Sequence, residues 1–306
     1  MIVDELTDKR LVILSGKGGV GKSVVGMALA LAAHRRGKRV MFVEVDAPFG
    51  AARILGEEPG LSCVNLEPAR VMDEYVRATV HVDLLARKIL DSPVYRRFFA
   101  AAPGLPDLMV LGKIMVMVEA HARWSQRPLH DLVVVDAPAT GHGLAFLKVP
   151  LAASEAVPVG PVGKNARRIL ALLRDPERTA VGIVAIPEEM AAVEAAELHR
   201  LATDEVGVAP RVLFLNQCHE RRLTDEEEAA VLRLSAARAD GPLGAGISLA
   251  EAVAAARRHI RRRKLTRFYE TRLRRSVPVP LVALPYLHEE IGRESIRLLA
   301  DRLEAA

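Results

Sequence analysis

The run Gly16-Lys17-Gly18-Gly19-Val20-Gly21-Lys22-Ser23 fits the pattern G-x-x-x-x-G-K-[ST], and its surroundings leave this chain few folds to choose from. Leu11-Val12-Ile13-Leu14 ahead of it is an apolar run of strand length, and Val24 to Arg36, rich in Ala and Leu, reads as a helix. Strand, glycine loop and helix in that order make a phosphate cradle. Glycine lets backbone N–H groups close around phosphate oxygens, and the helix N-terminus adds favourable partial charge. Lys22 is placed to reach the β- and γ-phosphates, and the Ser23 hydroxyl to coordinate Mg²⁺. The expected ligand is a nucleoside triphosphate held along Gly16 to Val24.

The rest of the chain supports a sheet around that loop. Arg39 to Val45, Asp131 to Val135, Ala180 to Ile186, Arg211 to Leu215 and Val279 to Leu284 are short runs rich in β-branched residues. Helical patterns separate them, which predicts an α/β fold with a doubly wound, mostly parallel sheet. Pro278 and Pro280 mean that the last strand begins irregularly or lies toward an edge. Pro68 to Leu90 and Leu105 to Arg123 read as helices, so the expectation is one domain over 1–306. It carries a helical insertion over about 68–128 and a shorter helical segment over about 149–179. Ser235 to Gly246 reads as a flexible loop.

Composition narrows the class further. Half of the 306 residues are hydrophobic but only 4% are aromatic, so the core must be built from Leu, Val, Ala and Ile. A net charge of +5 permits anionic partners without requiring them. The two cysteines, Cys63 and Cys218, form no C-x-x-C pair, so neither a zinc site nor an iron–sulfur cluster is expected. They read as buried thiols in a reducing compartment. The charged start, Met1 to Arg10, does not read as a signal peptide, and no apolar run approaches the ~20 residues of a membrane span. A cytoplasmic protein is expected.

Two aspartates end strands at the edge where the cradle lies. Asp136 follows Leu132 to Val135, and a carboxylate there can hold Mg²⁺ through water. Asp46 follows Val40 to Val45 and can orient the attacking water, since two acids at one edge can divide those roles.

A second lysine at Lys17 adds nothing to phosphates already served by Lys22, and Gly-Lys-Gly-Gly-Val-Gly-Lys-Ser resembles the deviant Walker A ATPases. Asp136-Ala137-Pro138-Ala139-Thr140-Gly141-His142-Gly143 resembles the second switch of the arsenite-pump and tail-anchored-protein-targeting ATPases. Leu66-Glu67-Pro68, Pro103-Gly104-Leu105-Pro106-Asp107, Pro187-Glu188-Glu189-Met190, Leu215-Asn216-Gln217 and Leu284-Pro285-Tyr286-Leu287-His288 follow that family's order. The resemblance implies a dimeric Mg²⁺-dependent ATPase in which Lys17 reaches the partner's phosphates. Asn216 would then bond the adenine, and Pro285 and Tyr286 would form the loop over it. Gly141 and Gly143 would flank a moving switch, His142 would pack or hinge there, and Glu188 would face the dimer partner. The partner is a second copy or a paralogous ATPase, and the output is capture or release of a client, one candidate being a hydrophobic protein segment. The chain departs from the family in lacking a cysteine triad for arsenite and in Ala47-Pro48-Phe49-Gly50 after Asp46.

Two rival readings stay open beside this one. A positioning ATPase of the ParA/MinD type, working on DNA or membrane, is suggested by the ten basic residues between Arg257 and Arg275. The same stretch reads as a solvated helix. A regulatory subunit of low turnover, paired with a paralogue, is opposed by intact Lys17, Lys22, Asp46 and Asp136. Met109, Met115 and Met117 lie in an apolar segment that reads as core, with an adaptable client groove as the other use of methionine.

Overall fold

A computed structural model describes the chain apart from residues 1, 48–49, 57, 81–86, 89, 94–103, 122–126, 139–142, 238–239 and 244–245. Among the described residues, seven strands form one sheet: β1 (Leu11–Ser15), β2 (Val40–Val45), β3 (Leu61–Leu66), β4 (Leu132–Asp136), β5 (Thr179–Ala185), β6 (Val212–Cys218) and β7 (Leu281–Pro285). All pairings are parallel, in the order β3-β2-β4-β1-β5-β6-β7. The sheet is therefore wholly parallel.

Every residue of β1, β4 and β5 is buried, which is why these strands read as unbroken apolar runs. Their side chains divide by parity. Val12, Leu14, Leu132 and Val134 pack on one face with α2 (Lys22–Arg35) and α11 (Arg293–Glu304). Leu11, Ile13, Val133 and Val135 pack on the other with α5 (Leu105–Glu119), α6 (Gly143–Ala156) and α7 (Gly160–Arg174). Beyond β6, α8 (Glu189–Leu201) and α10 (Leu249–Ser276) enclose a third cluster around Leu198, Leu213 and Leu273.

β3 was not expected, because its stretch lies in the gap that reads as helical. Only its ends, Leu61 and Leu66, are buried. An edge strand between helices needs apolar cover at few positions, so Ser62, Cys63 and Asn65 hide it from a periodicity argument. The following helix, α4 (Pro68–Thr79), stops well short of Leu90. β7 is the opposite edge, one of the two outcomes its prolines predict. Its pairing with β6 slips between Leu215 and Cys218, where Gln217 takes φ 58°.

Met115 is buried in α5, while Met109 and Met117 are half-buried against the same core. Met109 and Met115 also line a groove of about 470 Å³ between α4, α5 and α7, beside exposed Val116. Cys218 is buried and Cys63 half-buried, and neither forms a disulfide. Burial pushes the Cys63 thiol to about 11 and the Cys218 thiol to about 12. Among the described residues, no helix is long and apolar enough to cross a membrane.

Candidate functional site

The cradle sits at the carboxyl end of β1, the middle strand of the sheet, between β4 and β5. Its shape depends on two glycines. Gly16 takes φ 151°, and a Cβ there would lie 2.2 Å from the Val184 carbonyl oxygen on β5. Gly21 takes φ 88° and caps α2, and a Cβ there would lie 2.3 Å from Asn216 Nδ2. No side chain caps α2, so its first N–H groups face the cleft without a side-chain acceptor.

Lys22 opens α2 and is 6% exposed. Its Nζ donates to the carbonyls of Gly16 and Lys17, both at 3.2 Å. Burial lowers its pKa, and the charge of Asp136 works against that shift. Ser23 Oγ donates to Asp136 Oδ2 at 2.5 Å, and the other oxygen, Oδ1, is buried without a hydrogen-bond partner. Burial raises the Asp136 pKa, opposed by the Ser23 hydrogen bond and by Lys22. A buried carboxylate with one oxygen unused beside a serine hydroxyl suits a hydrated divalent cation.

Asp46 follows β2 in the left-handed region, φ 47°, a conformation uncommon for a residue with a side chain. Its N–H donates to Leu66 O at 3.1 Å, and Asn65 on β3 holds both the N–H and the carbonyl of Ala47. The unforeseen strand β3 thus fixes the turn that carries Asp46. Lys22, Ser23, Asp46 and Asp136 border one cleft of about 360 Å³, with Ile291 from the segment after β7 on its rim.

The predicted residues Lys17, Glu188, Asn216, Pro285 and Tyr286 do not line this cleft. Asn216, 5% exposed on β6, donates from Nδ2 to the Val20 carbonyl at 2.9 Å, clasping the loop. Pro285 ends β7, and the Tyr286 N–H donates to Cys218 O at 2.9 Å. The Tyr286 ring stacks on His219 at 4.7 Å, so Pro285 and Tyr286 line the neighbouring hollow, outside the phosphate cleft. Lys17 pairs with Glu194 of α8 at 3.0 Å. Glu188 is the N-cap residue of the same helix. Thr140, Gly141 and His142 lie outside the described residues, and Gly143 begins α6.

One residue that the sequence reading missed stands directly behind the site. Glu44 on β2 is 3% exposed and stands in register with Asp136 on β4. Its Oε2 accepts the Ala51 N–H at 3.0 Å, at the start of the short helix α3 (Ala51–Leu55), while Oε1 is buried and unpartnered. Burial raises its pKa against the Ala51 hydrogen bond, and the charge of Asp136 adds to the rise. The available signal was an acid inside the otherwise apolar run Val40 to Val45.

A parallel sheet with this loop at its middle strand and two strand-end aspartates beside it defines a P-loop nucleotide-binding protein. Residues 9–160 match the family described as anion-transporting ATPase. The chain is 29% identical over 267 residues to ATPase BagA of Mycobacterium tuberculosis, covering 81% of this chain and 77% of that protein. It is 24% identical to the arsenical pump-driving ATPase of Escherichia coli, covering 66% of this chain and 38% of that protein. It is 25% identical to ATPase GET3 of Malassezia globosa, covering 45% and 42%. Residues 9–160 thus match the anion-transporting ATPases, and the named ATPases among the relatives make binding and hydrolysis of ATP the chemistry of this chain.

Proposed function

We propose that this ATPase is a Mg²⁺-dependent, nucleotide-driven dimeric switch that couples hydrolysis to capture or release of a partner. The observation that carries the reading is the meeting of Lys22, Ser23, Asp46 and Asp136 around one cleft beside an uncapped helix N-terminus. Lys22 binds the β- and γ-phosphates, and Asp46 orients the water that attacks the γ-phosphate. Ser23 would hold Mg²⁺ directly and Asp136 through water; the buried, unpartnered Oδ1 supports that assignment. When bound, the metal neutralises charge developing between the β- and γ-phosphates. Lys17 completes the site of the partner subunit. Asn216 pairs with adenine, and Pro285 and Tyr286 form the loop beside the base. The partner subunit is a second copy or a paralogue, and hydrolysis reopens the pair.

Asp46→Asn tests the division of roles. It is expected to bind ATP normally yet hydrolyse it poorly and persist as a dimer in light scattering, while Lys22→Ala loses nucleotide affinity. Normal turnover by Asp46→Asn, or a monomer in every nucleotide state, would overturn the reading. Negligible turnover by the unmodified chain alone would point to a subunit that needs a paralogue.

A further inference from the structure

A further concave region lies outside the phosphate cleft, between the residues that follow β6, the middle of α10 and the segment after β7. It is a hollow of about 510 Å³, within the size range of small-molecule sites. Three arginines, Arg222, Arg258 and Arg262, and three histidines, His219, His259 and His288, line it, and no acid does. None of the three arginines takes part in a described ion pair, although many arginines of this chain do. Leu223 and two alanines of α10 form the rest of its wall.

The histidines are held in place. His219 lies flat on Tyr286 at 4.7 Å and meets His259 edge-on at 5.8 Å, while His288 meets the other edge of this group through Tyr286 at 5.0 Å. His259 Nε2 lies 3.1 Å from the Glu220 carbonyl. The Glu220 carboxylate does not compensate the hollow, because it is turned to Arg302 at 2.8 Å. Burial, and then the positive charge of Arg262, His259, His288 and Arg222, hold the His219 ring below its ordinary pKa. Positive charge therefore gathers here, and the acids Glu220, Glu289, Glu294 and Asp301 line the adjoining hollow that shares His219, Arg222, His259 and His288.

We propose that this hollow is a second anion site, distinct from the phosphate cradle, for a small soluble molecule bearing phosphate groups. A carboxylate presents two oxygens, whereas a phosphate chain presents several around tetrahedral centres. Three guanidinium forks beside three imidazole rings match that larger, multiply charged acceptor set. The apolar patch at Leu223 accepts an uncharged portion of the same molecule.

Inorganic pyrophosphate is the probe, and Lys22→Ala in the full chain removes the competing cradle. Calorimetric titration is combined with imidazole NMR signals assigned to His219, His259 and His288. In the Lys22→Ala background, pyrophosphate is expected to bind and move all three signals. Adding Arg222→Ser/Arg262→Ser should weaken that binding at least tenfold. In the otherwise unmodified chain the same pair should leave nucleotide affinity unchanged, and both positions are exposed, so the fold is preserved. Loss of all pyrophosphate binding in Lys22→Ala, absence of imidazole shifts, or binding indifferent to the arginine pair would overturn the proposal.

Discussion

Lys17, in the phosphate loop, forms an ion pair with Glu194 on α8, 3.0 Å apart and with both side chains about one-third exposed. A pair this open to water contributes little, roughly 0–1 kcal/mol, so the lysine can leave Glu194 easily. Lys17→Ala should keep nucleotide affinity while lowering turnover by roughly 10³-fold, the scale of a charge supplied across an interface. Glu194→Gln should leave the unfolding free energy within about 1 kcal/mol of the unmodified chain. It should also lower the ATP concentration at which dimers form, read by light scattering. Equal turnover in Lys17→Ala and the unmodified chain would remove the lysine from catalysis.

Gly21 and Asn216 are mutually constrained. Alanine at Gly21 meets two obstacles: a left-handed φ of 88° and Asn216 Nδ2 at 2.3 Å from the new Cβ. Gly21→Ala should destabilise the fold by about 1–3 kcal/mol in urea unfolding. The second obstacle is a side-chain tip, so Asn216→Ala should relieve part of that loss. The double variant is expected to be more stable than the sum of the single changes; strict additivity would mean the two do not meet.

Glu44 both ties down the segment after Asp46 and crowds Asp136. Glu44→Ala strands the Ala51 N–H and should cost about 1–3 kcal/mol. Glu44→Gln keeps an acceptor for that N–H and removes the charge. An acid whose pKa is raised on folding destabilises the fold as pH climbs past its ordinary 4.5. Glu44→Gln should therefore gain stability over the unmodified chain above pH 4.5, and the gain should vanish at lower pH.

Arg39 and Asp131 predict the acid limb of stability. Asp131 accepts from the Arg39 backbone N–H at 2.9 Å and from its guanidinium at 2.9 and 2.7 Å. These bonds draw its pKa from 3.8 down to about 2. A depressed carboxylate stabilises the fold fully above its unfolded value and loses that contribution as pH falls through about 2. Arg39→Met should flatten the stability profile between those two values. An unchanged acid limb would assign acid unfolding to other carboxylates.

The parts of this molecule legible in its sequence are those where one requirement dominates. β1, β2 and β4 are covered on both faces, so nearly every position must be apolar and each strand is visible as a run. The cradle is visible because phosphate geometry tolerates few residues. β3 escaped because an edge strand meets several weak requirements instead of one strong one. Glu44 escaped because its neighbours, Asp136 and Ala51, become neighbours only through strand register and a returning helix. The Lys17–Glu194 pair is likewise a product of tertiary structure: the sequence marks the lysine, and nothing in it marks the acid. The left-handed turn at Asp46 depends on Asn65, a residue of the strand that went unread.

Gly16 abuts the Val184 carbonyl at the boundary between β1 and β5, the line along which the two halves of the sheet meet. Any side chain there would act as a wedge between those halves, pressing on main chain that cannot rotate away. The first glycine of the nucleotide motif is therefore under a constraint unrelated to ATP. A library of variants at this position, scored only for soluble yield in a host that never calls on the enzyme, would still return glycine.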